Sequence, residues 1–170
     1  MDLKEKHTLQ PMKKYAAVCG LFCPSCTIFI GTHDDPERLK NLAESNGVNP
    51  DEFSCEGCHS ENKTGHCKTC KIIECASMKG IEFCVECKDY PCYVIDEFQA
   101  VLPHRIEVHD SQATIKEIGF EKWFEKMTGH YACDACNAIN SAYDMHCRVC
   151  GNSPGNEYVR RNVDEMLERF

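Results

Sequence analysis

Six Cys-x-x-Cys pairs carry most of the chemistry this sequence offers: Cys23/Cys26, Cys55/Cys58, Cys67/Cys70, Cys84/Cys87, Cys133/Cys136 and Cys147/Cys150. Two residues between cysteines make a turn tight enough to put both sulfurs on one metal ion, about 2.3 Å away for zinc. The same turn aims backbone N–H groups at the thiolates. Cys19, Cys75 and Cys92 bring the count to fifteen in 170 residues, a density that signals a covalent or metal scaffold. An odd count cannot pair fully as disulfides within one chain. The start, MDLKEKHTLQPMKK, has no apolar signal-peptide run, and no window approaches the roughly 18 apolar residues of a membrane span. A cytoplasmic protein is therefore expected. In that reducing compartment, dense cysteine means metal more often than disulfide.

The C-terminal pairs are the simplest to read. Ten residues separate Cys136 from Cys147 in YACDACNAINSAYDMHCRVCG. Two knuckles on a short ribbon can close a four-cysteine zinc site on Cys133, Cys136, Cys147 and Cys150 without outside help. Gly151 suits the left-handed turn that often ends a knuckle. The spacing from Tyr131 through Asn140 to Cys150 resembles the Ran-binding-protein-2 type finger, whose members bind single-stranded RNA or ubiquitin. Here Asn137-Ala138 stands where the ubiquitin-binding Thr-Phe pair would be, and Arg148 is the one arginine left for base readout.

Eleven cysteines remain, from Cys19 to Cys92. The run Cys67-x2-Cys70-x4-Cys75 is repeated at Cys84, Cys87 and Cys92, offset by 17. Eleven thiols plus one histidine, His59 or His66, would serve three four-coordinate ions; eight thiols would serve two. Ribbon logic joins Cys55/Cys58 to Cys67/Cys70, and a crossed pairing is equally allowed. Cys19-x3-Cys23-x2-Cys26 has the spacing of radical S-adenosylmethionine enzymes, but the chain has no room for their partial barrel. A fourth ligand from elsewhere, such as Cys92, fits this triplet better. The cofactor expectation is two to four zinc ions, or alternatively one iron–sulfur cluster in Cys19 to Cys92.

Other chemistry is sparse. PHRIEVHD supplies His104, Arg105 and His109, but five positions put the two histidines about 140° apart on a helix. They read as polar side chains facing water from a helix surface. No phosphate-binding glycine loop, metalloprotease motif, nucleophile elbow or deaminase signature is present. The formal charge of −8 argues against nucleic acid, since phosphate contacts need clustered Lys and Arg. Lys4, Lys6, Lys13 and Lys14, interleaved with Asp2 and Glu5, read as a solvated N-terminal arm.

The elements that must position the thiols follow from periodicity. YAAV before Cys19 could be a strand. Pro24 could open a helix through TIFI. Asp35 caps and Pro36 starts another helix, ended by Gly47. KIIECASMK makes a short helix carrying Cys75. Val94, Ile95, Phe98, Val101 and Leu102 give a helical stripe that Pro103 interrupts, and two more helices run through ATIKEI and FEKWFEKM. Val159, Val163, Met166, Leu167 and Phe170 form one face of a last helix, which could pack on the core or dock a partner. The expected organisation is an arm (1–12), a cysteine-rich domain with a helical second half (13–130), a zinc ribbon (131–151) and a tail helix (152–170). The expected class is α+β, a small metal-stabilised domain.

CGLFCPSC, CEGC, C-x2-C-x-I-x2-CA-x2-KG and C-x-EC-x-DYPC, together with LPHRIEVHD and the terminal ribbon, resemble the cysteine-rich proteins grouped as domain of unknown function 3795. The resemblance spans about residues 13 to 151. It implies a small metal-binding protein and transfers no catalytic residue. The expected function is a binding or adaptor module with structural zinc and an unidentified protein partner. An iron–sulfur protein in electron transfer or redox sensing is the alternative, and a metalloenzyme with an open zinc position the third reading.

Overall fold

The structure, a computed structural model, describes residues 2–170. Among the described residues nine α-helices are joined by 3₁₀ turns and cysteine knuckles: α1 (Thr27–His33), α2 (Pro36–Ser45), α3 (Pro50–Phe53), α4 (Gly65–Lys68), α5 (Lys71–Lys79), α6 (Tyr93–Val101), α7 (Val108–Ile118), α8 (Phe120–Tyr131) and α9 (Glu157–Glu168). The expected α+β class is wrong. Among the described residues pairing is limited to two isolated bridges, Ala16 with Phe22 and Ala132 with Ile139. The physical reason is the knuckles themselves. A ladder needs several extended residues facing a partner, and the chain turns back on itself too soon. YAAV is buried, but it bends into a turn, Ala17 N–H donating to Leu21 at 2.8 Å, instead of extending into a strand.

Local signals account for the helices. Asp35 Oδ1 accepts from the Arg38 amide at 3.1 Å, Pro36 opens α2, and the chain leaves it through Gly47. α5 and α6 fall where the sequence places them, and Pro103 ends α6 in a 3₁₀ turn, Pro103–Arg105. Pro24 departs from expectation: it lies in a separate 3₁₀ turn, Cys23–Ser25, and α1 begins only at Thr27. Cys26 sits at the junction in extended conformation.

The core is aromatic. Phe22 packs edge-on to Trp123 and Phe124 and stacks on Tyr131, with centroids 6.1, 5.1 and 5.9 Å away. Tyr131 in turn stacks on Tyr158 of α9. α9 thus docks through Tyr158, Val159 and Met166, leaving Leu167 and Phe170 exposed. The N-terminal arm is not simply solvated. Leu3 is fully buried, and its carbonyl accepts from Ile139 at 2.8 Å.

Two buried polar side chains on α7 tie this core to the cysteines. Gln112 Nε2 donates to Val18 O at 2.9 Å, and its Oε1 accepts from Val85 N–H at 2.8 Å. Ser111 Oγ donates to Gly20 O at 2.6 Å and accepts from Trp123 Nε1 at 2.7 Å. Val18 and Gly20 flank Cys19, Val85 follows Cys84, and the Cys84 amide donates to Val18 O at 3.0 Å.

Candidate metal centres

The ribbon residues converge. Cys133 and Cys150 sulfurs are 3.7 Å apart, Cys136 and Cys147 sulfurs 3.6 Å, and all four lie within 4.8 Å of one another. A tetrahedral zinc with bonds of about 2.3 Å spaces its sulfurs at about 3.8 Å, so the donor set fits one ion. The two knuckles are built alike. An amide two residues on faces the first sulfur of each, Ala135 to Cys133 at 3.4 Å and Val149 to Cys147 at 3.5 Å. The residue after each pair has positive φ: Gly151 at 76°, as its position implied, and Asn137 at 62°. Asparagine is one of the few side chains that enter this region at small cost.

Asn140 locks the knuckles together. Fully buried, it accepts from Arg148 N–H at 2.8 Å and donates to Ala138 O, Gly155 O and Cys147 Sγ at 2.9, 3.1 and 3.5 Å. Arg148 faces inward. Its guanidinium meets Asp34 at 2.6 Å and donates to Ile139 O and Leu3 O. The finger-type resemblance therefore loses its one candidate for base readout to a buried ion pair. The thiols do not titrate as equals. Burial, then neighbouring sulfurs, push Cys136 up to about 12. At Cys147 burial works the same way but is outweighed by amides of Cys150 and Val149 and by Asn140, which hold it at about 6.

The other eleven thiols gather in two pools. In one, Cys58 lies against Cys23 and Cys67, with Cys55 and Cys26 close by. In the other, Cys84 is surrounded by Cys92, Cys75, Cys87 and Cys70. Cys19 is buried between them, nearest Cys58, Cys84 and Cys70. The Cys67/Cys70 knuckle is thus divided between pools, and Cys92 lies near Cys84, away from the Cys23/Cys26 turn. All fifteen cysteines are free of disulfides. Amide-to-sulfur contacts recur here, Gly57 to Cys55 and Asp89 to Cys87, both at 3.4 Å. His59 and His66 are exposed.

Gly57 shows how tightly the first pool is built. Its φ is +107°, and a Cβ there would sit 1.9 Å from Lys14 O. Gly57→Ala is expected to cost more than the ~1–3 kcal/mol of backbone strain alone. A thermal melt beside a metal count would show both a lower Tm and loss of metal from Cys55 and Cys58. An unchanged melt would contradict the packing.

His104 and His109 do not simply face water; each is held by a tyrosine. His104 Nδ1 shares a hydrogen bond with Tyr143 OH at 2.7 Å; His109 meets Tyr90 OH at 2.8 Å and Asp96 at 3.0 Å. Neither belongs to the four-sulfur set. Burial, with help from Arg105 and His66, lowers His104 from 6.5 to about 4. Its folded pKa lies below its unfolded one, so the neutral ring stabilises the fold above about pH 6.5. That contribution is lost as pH falls towards 4. Replacing His104 and His109 by Ala should leave the metal content unchanged and make stability less steep between pH 6.5 and 4 than in the parent. Titrated denaturation curves measure the difference; a drop in metal content would make one of the histidines a ligand.

Ser111 and Gln112 carry no motif, and Arg105, expected with His104 and His109 on a polar surface, is instead buried. Ser111 and Gln112 share the stripe of Val108 and Ile115, so polar residues at core positions were the visible sign. Arg105 is 9% exposed, lies 3.7 Å over the Phe98 ring and has no carboxylate partner among the described residues. Burial pushes its pKa down; ionised Cys19, Tyr143, Cys70 and Cys67 are the groups that pull it back.

No helix among the described residues is long and apolar enough to cross a membrane. Residues 15–97 match the family described as "Protein of unknown function (DUF3795)". The resemblance carried by the cysteine motifs holds over that stretch. No curated protein and no solved structure matches the chain.

Proposed function

We propose, from the family match over residues 15–97 and the ribbon that follows it, that this is a metal-binding module whose C-terminal site is a closed structural zinc. One observation carries the reading: four sulfurs within 4.8 Å, in pairs at 3.6 and 3.7 Å, on two knuckles of the same geometry. Four thiolates around zinc leave no position for water or substrate, and such sites hold shape. The ribbon's shape has a use, because Arg148, Leu3 and Asp34 join it to the arm and α1.

A buried charge points to metal-held thiolates beyond the ribbon, at Cys19, Cys67 and Cys70, which face Arg105. A guanidinium buried without a carboxylate, as at Arg105, needs a counter-charge. Thiolates held by metal supply one, since each four-thiolate zinc carries net −2. Activity in this reading belongs to the surface the metals support. Leu167, Phe170, Val101 and Leu102 remain exposed near the end of α9, where Arg169 donates to Gln99 O and Leu102 O. An adaptor role, with a protein partner, is the reading that suits a module without an open metal position. The direct test is element analysis of protein purified under reducing conditions. Zinc at one or more per chain, resistant to mild chelation, supports the proposal; a chain that folds and binds no zinc overturns it.

A further inference from the structure

We infer that Cys75, Cys84, Cys87 and Cys92 hold a four-iron, four-sulfide cluster, a cofactor of another kind from the ribbon's single ion. The inference is independent of the zinc reading and involves none of its ligands.

The four cysteines line one cavity between α5, the turn at Cys84 and the start of α6. Its volume is about 40 Å³, on the measure by which one water needs about 10–15 Å³. A single ion enclosed by four thiolates needs no such space. The remaining wall is largely apolar, including Ile72, Ala76, Ile81, Val94 and Ile95. A cluster whose sulfides accept weak hydrogen bonds and tolerate an apolar wall suits the space.

Sulfur spacing separates this set from the ribbon. The ribbon is the one set among the described residues whose ligand atoms all fall within 4.8 Å. No three of the cavity's thiols reach that spacing, although Cys92, Cys75 and Cys87 are the leading charged neighbours of Cys84. A lone tetrahedral ion would pull its sulfurs to about 3.8 Å. A cube places each cysteine on a different iron and so holds them further apart. The order Cys75-x8-Cys84-x2-Cys87-x4-Cys92 supplies four thiolates, the number such a cluster takes.

Lys79 gives the site a further handle. Its Nζ donates to Cys87 Sγ at 3.0 Å and meets Asp89 at 3.2 Å, while Asp89 N–H faces the same sulfur at 3.4 Å. Hydrogen bonds and positive charge at a ligand sulfur stabilise the reduced cluster and raise its potential.

The test is anaerobic purification from iron-supplied cells, followed by iron, acid-labile sulfide and zinc analysis. The expected protein is brown, carries about four iron and four sulfide per chain, and bleaches when dithionite adds one electron. Cys84→Ser and Cys92→Ser should lose iron, sulfide and colour and keep the ribbon's zinc; Cys147→Ser should keep iron and sulfide. Lys79→Met, which retains every ligand, should keep the iron and shift the midpoint potential downward. A colourless parent whose Cys92→Ser variant loses zinc overturns the inference. So does colour that survives Cys84→Ser and Cys92→Ser but vanishes in Cys58→Ser, or a Lys79→Met potential equal to the parent's.

Discussion

Cys147→Ser is expected to lower bound zinc by one per chain and to unfold residues 131–151. The free energy at stake is large. Structural zinc in small modules contributes on the order of 10 kcal/mol of folding energy, comparable to the whole stability of an ordinary domain. The ribbon has little to fall back on. Its own apolar cluster is Cys133, Ala138 and Cys147 with Cys136 beside it, so its core is largely its ligands. Serine keeps the size of the side chain and removes the thiolate. The damage should spread along identifiable contacts. Leu3 O accepts from Ile139 and Arg148, and Arg148 pairs with Asp34 at 2.6 Å, so the arm and the end of α1 should gain amide exchange with the ribbon. α7 and α8 pack through Trp123 and Phe22, away from these contacts, and should hold. Zinc content equal to the parent's would sink the assignment of these ligands. Zinc lost with no change in exchange at residues 131–151 would separate the metal from the fold.

The ribbon was legible because both knuckles and their ligands lie within eighteen residues of sequence. Local spacing fixed the ligand set, and Gly151 marked a turn that Asn137 repeats. The N-terminal cysteines were legible as knuckles but not as partners. Which sulfur meets which depends on α5 and α7, elements that lie outside the knuckles. Cys67 and Cys70, with two residues between them, end in different pools, because Cys70 caps the start of α5 in extended conformation. The helices were legible from apolar period, caps and prolines. The strand expected at YAAV is not formed, since its extended stretch is cut short by the turn that leads into the cysteines. His104 was misjudged for a related reason. Its partner Tyr143 lies 39 residues on, in the ribbon loop, and no period on its own segment pointed there.

Gln112→Leu is the expected second large effect, and it involves no ligand. Leucine approximates the volume of glutamine, so no sizeable cavity follows. What disappears is a clamp. Val18 O would lose the donor at 2.9 Å and Val85 N–H its acceptor at 2.8 Å. Val18 O keeps the Cys84 amide at 3.0 Å, which leaves Val85 N–H as the group with no replacement. Val85 is half-buried, so its amide left without a partner costs about 1 kcal/mol, the low end of the usual range, and the lost second bond at Val18 costs about 0.5–1.5. The sum, on the order of 2 kcal/mol, is a sizeable share of a marginal stability. The consequence for the thiols is specific. The clamp holds the Cys19 turn against the Cys84 turn, so its loss should loosen both while the ribbon, which neither Gln112 bond touches, keeps its zinc. Denaturant melts would give the stability loss, and metal analysis of the same sample would show where metal leaves. Gln112→Glu, whose neutral carboxyl keeps an acceptor for Val85 N–H and an O–H donor for Val18 O, should stay near the parent at low pH and lose stability above the pH at which the buried carboxyl ionises, where a carboxylate faces Val18 O. A leucine variant as stable as the parent, with metal unchanged, would show that α7 packs on these turns without holding them.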